Sequence, residues 1–354
     1  MTSWLFASKS VAQRRFRVAM GLTLLCMAGA GTYAEDTAVG AIQRAPGKCI
    51  LTKHDGNLRK VPEHAKNNPY VGGIEAKIVW AELEPEKGKY AWHLIDEFLD
   101  ECAKYKLQAA FKFWTVSGKV MNDGQLSKGK GRAGAGVVYE NTDTPAWLFE
   151  DPSVARIGNI LTPKGRLPYY PVFWDKAYQA HLESFIAAFA DRYDGHPGIA
   201  YIRIGGWQIL TNEPSFYGGA NEFLIEQFIA QGFNPEHLTL ERLKKMRDLP
   251  ADSLYTQAVI DMMDIWFEHF TKTTLGVTVH PSTNKDSFEY VQMEHAYAHR
   301  AMVCNTGLNE GDKRDMRALY RMAHDQYGCK VGWGDLTHVG MHLEQAQLAA
   351  MGHS

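Results

Sequence analysis

The sequence predicts an α/β protein of the (β/α)8 TIM-barrel class, on three observations. Apolar runs of strand length alternate with amphipathic runs of helical length, the order that gives a parallel sheet covered by helices. Seven such units follow one another, which favours a barrel over an open sheet. Polar and aromatic residues gather just beyond several of the apolar runs, where a barrel keeps its working residues.

The first 34 residues stand apart from this pattern. Arg14, Arg15 and Arg17 precede the apolar run 18–31, and Thr32, Tyr33 and Ala34 offer a small-residue cleavage site. The run is short for a membrane span, so 1–34 is expected to be a signal peptide and the protein secreted or periplasmic, with no membrane attachment after cleavage. Residues 35–354 are expected to form a single barrel domain.

Strands are expected at 48–53, 73–80, 107–114, 199–206, 275–280, 301–306 and 329–334. Helices are expected at 92–104, 175–193, 221–231, 238–246, 254–270, 288–299, 313–327 and 341–351. Leu94, Ile95, Phe98, Leu99 and Cys102 give the first helix one apolar face, and Tyr178, Leu182, Phe185, Ile186, Phe189 and Ala190 give the second its own. Gly195, Pro197 and Gly198 stop the second helix. Between them, 116–173 is rich in turn residues and is expected to be a long loop insertion over the barrel mouth. A closed barrel wants eight strands. Either a short N-terminal strand lies outside the seven, or the chain ends at Ser354 before its last β unit, which would leave two sheet edges uncovered.

Composition excludes some classes and leaves others open. With 354 residues, 45% apolar, 22% charged and a net charge of −2, the chain reads as globular and not as a nucleic-acid binder. Its nine Trp and sixteen Tyr suit both a large core and the stacking of rings on sugars. Cys49, Cys102, Cys304 and Cys329 are too few for a disulfide scaffold. Cys304 and Cys329 are a possible pair in an oxidising compartment, with buried free thiols the preferred reading. Gly129, Gly131 and Gly134 match a dinucleotide-binding spacing, but no apolar strand precedes them and no helix follows, so no cofactor is expected. His295 and His299, like His338 and His342, are four residues apart without a clear third ligand, so no metal site is expected.

The residues that carry chemistry lie at strand ends. The second strand runs into W-x-x-L-E-P-x-x-G-x-Y-x-W, from Trp80 to Trp92, ahead of a helix containing Ile95 and Asp96. The fourth runs into Asn212, Glu213 and Pro214. Together these stretches resemble the retaining (β/α)8-barrel glycosidases of glycoside hydrolase clan A, which includes β-galactosidases, cellulases and mannanases. The resemblance extends from about Lys48 to the C-terminus. It implies that Glu213 is the general acid/base, that Asn212 binds a sugar 2-hydroxyl, and that a Glu ending strand seven is the nucleophile.

Strand seven carries no Glu. Asp335 just beyond it, or Glu310 after strand six, is the candidate second carboxylate. Glycoside cleavage needs a carboxylic acid to protonate the leaving oxygen and a second carboxylate, about 5–5.5 Å away when that group attacks the anomeric carbon and further when it activates water. Burial among Trp207, Phe216 and Tyr217 would raise the pKa of Glu213 as an acid requires.

Trp80, Trp114, Trp207, Trp333 and His280 are candidate substrate contacts, with packing the alternative for each; Trp174 is a weaker candidate of the same kind. Lys112 is expected to point into the barrel beside Trp114, paired to Glu75. Lys128, Lys130 and Arg132 are candidate contacts for an acidic polysaccharide, with ordinary solvated charge the alternative. The sequence thus supports a secreted hydrolase of β-linked polysaccharides or oligosaccharides. The alternative is a degenerate barrel that binds glycans without cutting them.

Overall fold

The computed structural model describes residues 49–52, 60–116, 119–122, 125–126, 138–158, 161–162, 165–166, 168–207, 222–244, 249–279, 284–305 and 331–333. These all fall in one compact unit, Gly40–Ser354. The expected signal peptide, the helices expected at 313–327 and 341–351, and Lys128, Lys130 and Arg132 lie outside the described residues.

Seven strands form one parallel sheet: β1 (Cys49–Thr52), β2 (Val71–Val79), β3 (Gln108–Trp114), β4 (Ile199–Arg203), β5 (Leu275–Thr278), β6 (Met302–Asn305) and β7 (Val331–Trp333). Each expected strand is present, with its ends moved by a few residues. The spatial order is the chain order, and every neighbouring pair is parallel. β1 and β7 stand at the two ends of that order. The crossovers carry α1 (His93–Lys104), α2 (Lys176–Tyr193), α3 (Glu222–Ala230), α4 (Leu240–Lys244), α5 (Leu254–His269) and α6 (Phe288–Ala298). Among the described residues, no helix is long and apolar enough to cross a membrane.

Alternation along the strands divides the sheet into two chemically distinct faces. One face carries Ile74, Ala76 and Ile78 of β2, Phe111 and Phe113 of β3, Ile202 of β4, Val277 of β5 and Val303 of β6, all in the large core under the helices. Burying each of the Ile, Val and Phe side chains among them contributes about 1.5–3 kcal/mol. The other face carries Ala110, Tyr201, Met302 and Cys304 as a small second cluster, with Ile50 packed against it. Cys304 is a buried free thiol, and burial pushes its pKa up to about 11. This second face also holds the charged residues of the central strands.

The helices begin where side chains can satisfy their first amides. Asp175, Ser253 and Ser287 cap α2, α5 and α6 by accepting from the backbone N–H of Tyr178, Thr256 and Tyr290. α2 ends at Asp194, whose carboxylate accepts from the backbone N–H of Thr271, Lys272 and Thr273. One side chain thereby ties the end of α2 to the turn before β5.

The loop insertion expected at 116–173 contains more order than its turn-rich composition suggested. Lys119–Asn122, Gln125–Leu126, Val138–Glu140, Leu161–Thr162 and Gly165–Arg166 form a five-stranded accessory sheet. Arg156–Gly158 and Tyr169–Pro171 form an antiparallel pair. Strands of two to four residues fall below the length at which alternation is readable.

Candidate functional site

The C-terminal ends of β2, β3 and β4 bring charged groups together on the second sheet face. Strand register arranges them in rows. Glu75, Ala110 and Tyr201 are partners in one row, and Lys77, Lys112 and Arg203 in the next. The methyl group of Ala110 leaves room above it. Glu75 therefore reaches across β3 to accept from the Tyr201 hydroxyl at 3.0 Å and to pair with Arg203 at 2.8 Å. Arg203 takes the role expected of Lys112 as the partner of Glu75, because its guanidinium reaches the carboxylate from β4, on the far side of β3. Burial works against the charge of Arg203, but Glu75 holds the guanidinium firmly ionised. Burial, with the Glu75 carboxylate adding to it, raises the Tyr201 phenol well above its ordinary value.

The cationic row has one further partner. Asp143, fully buried and supplied by the insertion, forms a hydrogen-bonded ion pair with Lys77. The segment around Asp143 is itself fixed: Asp143 carbonyl accepts from Ala81 N–H at 3.1 Å, and the Thr144 hydroxyl donates to the Thr115 carbonyl at 2.5 Å. Lys112 makes no hydrogen bond or ion pair among the described residues. Burial first, then the adjacent Arg203 and Lys77, bring its pKa down from 10.5 to about 8.

Trp114 ends β3 between these lysines. The Lys77 ammonium lies 4.0 Å and the Lys112 ammonium 5.4 Å from its ring centroid, close enough for cation–π attraction. Trp114 Nε1, Arg203 Nε and Thr278 Oγ1 are buried polar atoms without a hydrogen-bond partner among the described residues. Native structures seldom leave such atoms unpaired unless water or a ligand completes them. β3, β4 and β5 thus converge on a polar floor with hydrogen-bonding capacity to spare.

The exit from β4 toward Asn212 and Glu213 is held by three clamps. The carbonyls of Gly205, Gly206 and Trp207 accept in succession from Trp266 Nε1 at 2.8 Å, the Tyr178 hydroxyl at 2.5 Å and the Tyr255 hydroxyl at 2.9 Å. The donors come from α5, α2 and α5. Gly206 sits at φ +137°, and a Cβ there would come within 2.7 Å of Leu182 Cδ2, so the turn requires glycine. Glu213, Asn212, Asp335, Glu310 and His280, with the Trp333 side chain, lie outside the described residues.

The other aromatic candidates have packing partners. Trp80 is fully buried against Trp147, Tyr178 and Phe185. Trp207 is 2% exposed. In this conformation neither presents a ring face for stacking. Trp174 lies at the start of α2, donates to the Gln231 carbonyl at 2.7 Å, and packs on Phe228 and Phe233.

The W-x-x-L-E-P-x-x-G-x-Y-x-W stretch has a structural explanation. Glu84 accepts from Trp80 Nε1 and from Gly88 N–H, each at 2.7 Å. Gly88 has φ +75°. Tyr90 stacks on Trp92 with centroids 4.7 Å apart. Burial raises the pKa of Glu84, and the Gly88 and Trp80 donors oppose that rise. The motif folds the connection between β2 and α1 into a closed turn.

Sequence reasoning passed over Arg203, Asp143 and the clamps Tyr178, Tyr255 and Trp266. Arg203 was visible as a charge inside an apolar strand, a placement that demands a partner. Asp143 had no comparable signal, because its ion pair joins residues 66 apart in sequence.

No protein-family model matches the chain, and no curated protein matches it. Solved structures similar to it include a β-galactosidase from the psychrophilic Marinomonas ef1, 13% identical, covering 79% of this chain and 46% of that one with a TM-score of 0.42. The catalytic domain of β-amylase from Paenibacillus polymyxa is 10% identical, with coverage of 86% and 89% and a TM-score of 0.49. A cold-adapted β-galactosidase from Rahnella sp. R3 is 14% identical, with coverage of 88% and 50% and a TM-score of 0.45. The chain spans about half the length of these two β-galactosidases.

Proposed function

We propose that the protein is an exported glycoside hydrolase that cleaves β-linked polysaccharides or oligosaccharides at the C-terminal mouth of a closed barrel. The observation that carries this reading is the floor formed by Trp114, Lys112, Arg203 and Thr278. It combines one aromatic ring with cations and buried polar atoms that lack partners among the described residues. Sugars present apolar ring faces and many hydroxyls, so a site of this composition suits them.

In this reading, Trp114 stacks on a sugar ring and Lys112 donates to its hydroxyl or carboxylate oxygens. Glu213 follows the clamped exit from β4 and protonates the leaving oxygen, with Asn212 beside it on a sugar hydroxyl. Asp335, or else Glu310, supplies the second carboxylate, either attacking the anomeric carbon or activating water there. Trp333 and His280 are further proposed contacts. No step requires a cofactor.

The test is hydrolysis across a panel of β-linked polysaccharides and aryl glycosides, with wild type beside Glu213→Gln and folding matched by circular dichroism. The reading predicts that one substrate class is cut and that the Gln variant loses that activity by a factor of about 10²–10⁴. Asp335→Asn and Glu310→Gln then identify the second carboxylate. A folded protein that binds a glycan and cuts nothing would instead support a binding protein, a reading favoured by the absence of Glu from the 329–334 run.

A further inference from the structure

Far from the charged floor, the outer helices bring together the two histidines four apart in sequence and a third group that their spacing alone could not reveal. His295 lies on α6 and His299 caps its C-terminus, so both imidazoles leave one side of the helix. Asp264 comes from α5. His295 Nε2 is 2.7 Å and His299 Nε2 3.8 Å from the same carboxylate oxygen, Asp264 Oδ1. The two imidazole centroids are 4.7 Å apart, and one possible ligand atom from each residue lies within 4.8 Å of the others.

We infer that Asp264, His295 and His299 form a binding site for a first-row divalent transition metal such as Zn²⁺, one that fastens α5 to α6. Two imidazole nitrogens and one carboxylate oxygen are a donor set that Zn²⁺ accepts, with bonds of about 2.0–2.2 Å and water in the fourth position. Tetrahedral bonds of that length place neighbouring ligand atoms about 3.4 Å apart. Against that spacing, the His295–Asp264 contact of 2.7 Å opens and the His299–Asp264 contact of 3.8 Å closes, each by a side-chain rotation of under 1 Å.

Three features favour occupation. The His299 ring lies flat on Phe267, with centroids 4.2 Å apart and planes at 5°, which fixes its orientation without using a nitrogen. The ligand side chains keep surface access, from 21% for His295 to 42% for Asp264, leaving an entry path and room for water. Asp264 also borders a groove lined by Glu183, Asp261 and Glu268 with one cation, Lys176, paired to Asp261, and the remaining acidic excess attracts cations there.

The plain alternative is a metal-free ion pair between helices. Isothermal titration of the untagged chain with ZnCl2 distinguishes them, with thermal melts run in zinc and in EDTA. The inference predicts one site that weakens at least tenfold in Asp264→Asn and in His299→Ala. Zinc should raise Tm in wild type and not in either variant. Asp264→Asn preserves a hydrogen-bond acceptor and guards against misfolding as the cause of loss. Zinc affinity and Tm response equal to wild type in both variants would overturn the inference, as would a wild-type chain that binds no zinc.

Discussion

Lys112 carries the sharpest prediction at the scale of one residue. Its ammonium shares a register row with Lys77 and Arg203, without an ion-pair partner among the described residues, and its pKa falls from 10.5 to about 8. A folded pKa below the unfolded one means that the unfolded chain binds more protons between those values. Stability therefore rises as pH increases from about 8 to 10.5. Below pH 8 the protein bears the cost of the charge. Lys112→Met keeps most of the side-chain volume and is expected to stabilise the fold by on the order of 1–3 kcal/mol at pH 7. That advantage should shrink between about pH 8 and 10.5, as chemical denaturation at several pH values would record. The same variant should lose saccharide affinity if the lysine faces substrate. A stabilising substitution that impairs binding is the signature of a charge kept for function. The lysine's place on the sheet face opposite Phe111 and Phe113 was legible from the alternation along the strand. Its relation to Glu75 was not, because the pairing is decided by register across three strands, and Ala110 opens the path for Arg203.

At the scale of elements, the β4 exit is held by hydrogen bonds from α2 and α5. Gly206 at φ +137° lies under Leu182, and its carbonyl is held by Tyr178. Gly206→Ala should cost about 1–3 kcal/mol through backbone strain, and Tyr178→Phe about 1–2 kcal/mol through the lost hydrogen bond. Under the proposed function, both changes should lower kcat/KM on a cleaved substrate beyond any loss of folded protein, because the clamped carbonyls lead in sequence to Asn212 and Glu213. Thermal melts and steady-state kinetics on the same preparations separate the two effects. The helical periodicity that places Tyr178 on the buried face was plain in the sequence. The hydroxyl's destination was not: a buried Tyr looks the same in sequence whether its oxygen meets a backbone carbonyl or water. The W-x-x-L-E-P-x-x-G-x-Y-x-W stretch shows the converse. Its spacing was conspicuous, but Glu84 accepts from Trp80 and Gly88, which gives the residues a folding role.

For the whole molecule, alternation of apolar runs was enough to place all seven strands of the parallel sheet. Chain order became spatial order across β2 to β6, where every crossover carries at least one helix with buried residues. The accessory sheet was not legible, since its strands are too short to carry a period. Asp143, which delivers a buried carboxylate to Lys77, was not legible either, because its ion pair joins residues 66 apart in sequence. The central claim is that Glu213 protonates a leaving group above this floor. It is tested most directly by comparing kcat/KM for Glu213→Gln and wild type on two aryl glycosides of one sugar, with a good and a poor leaving group. An acid is needed only when the departing oxygen is basic. The account predicts a loss of about 10²–10⁴ on the poor leaving group and a far smaller loss on the good one. Equal losses on both substrates, or none on either, would contradict it.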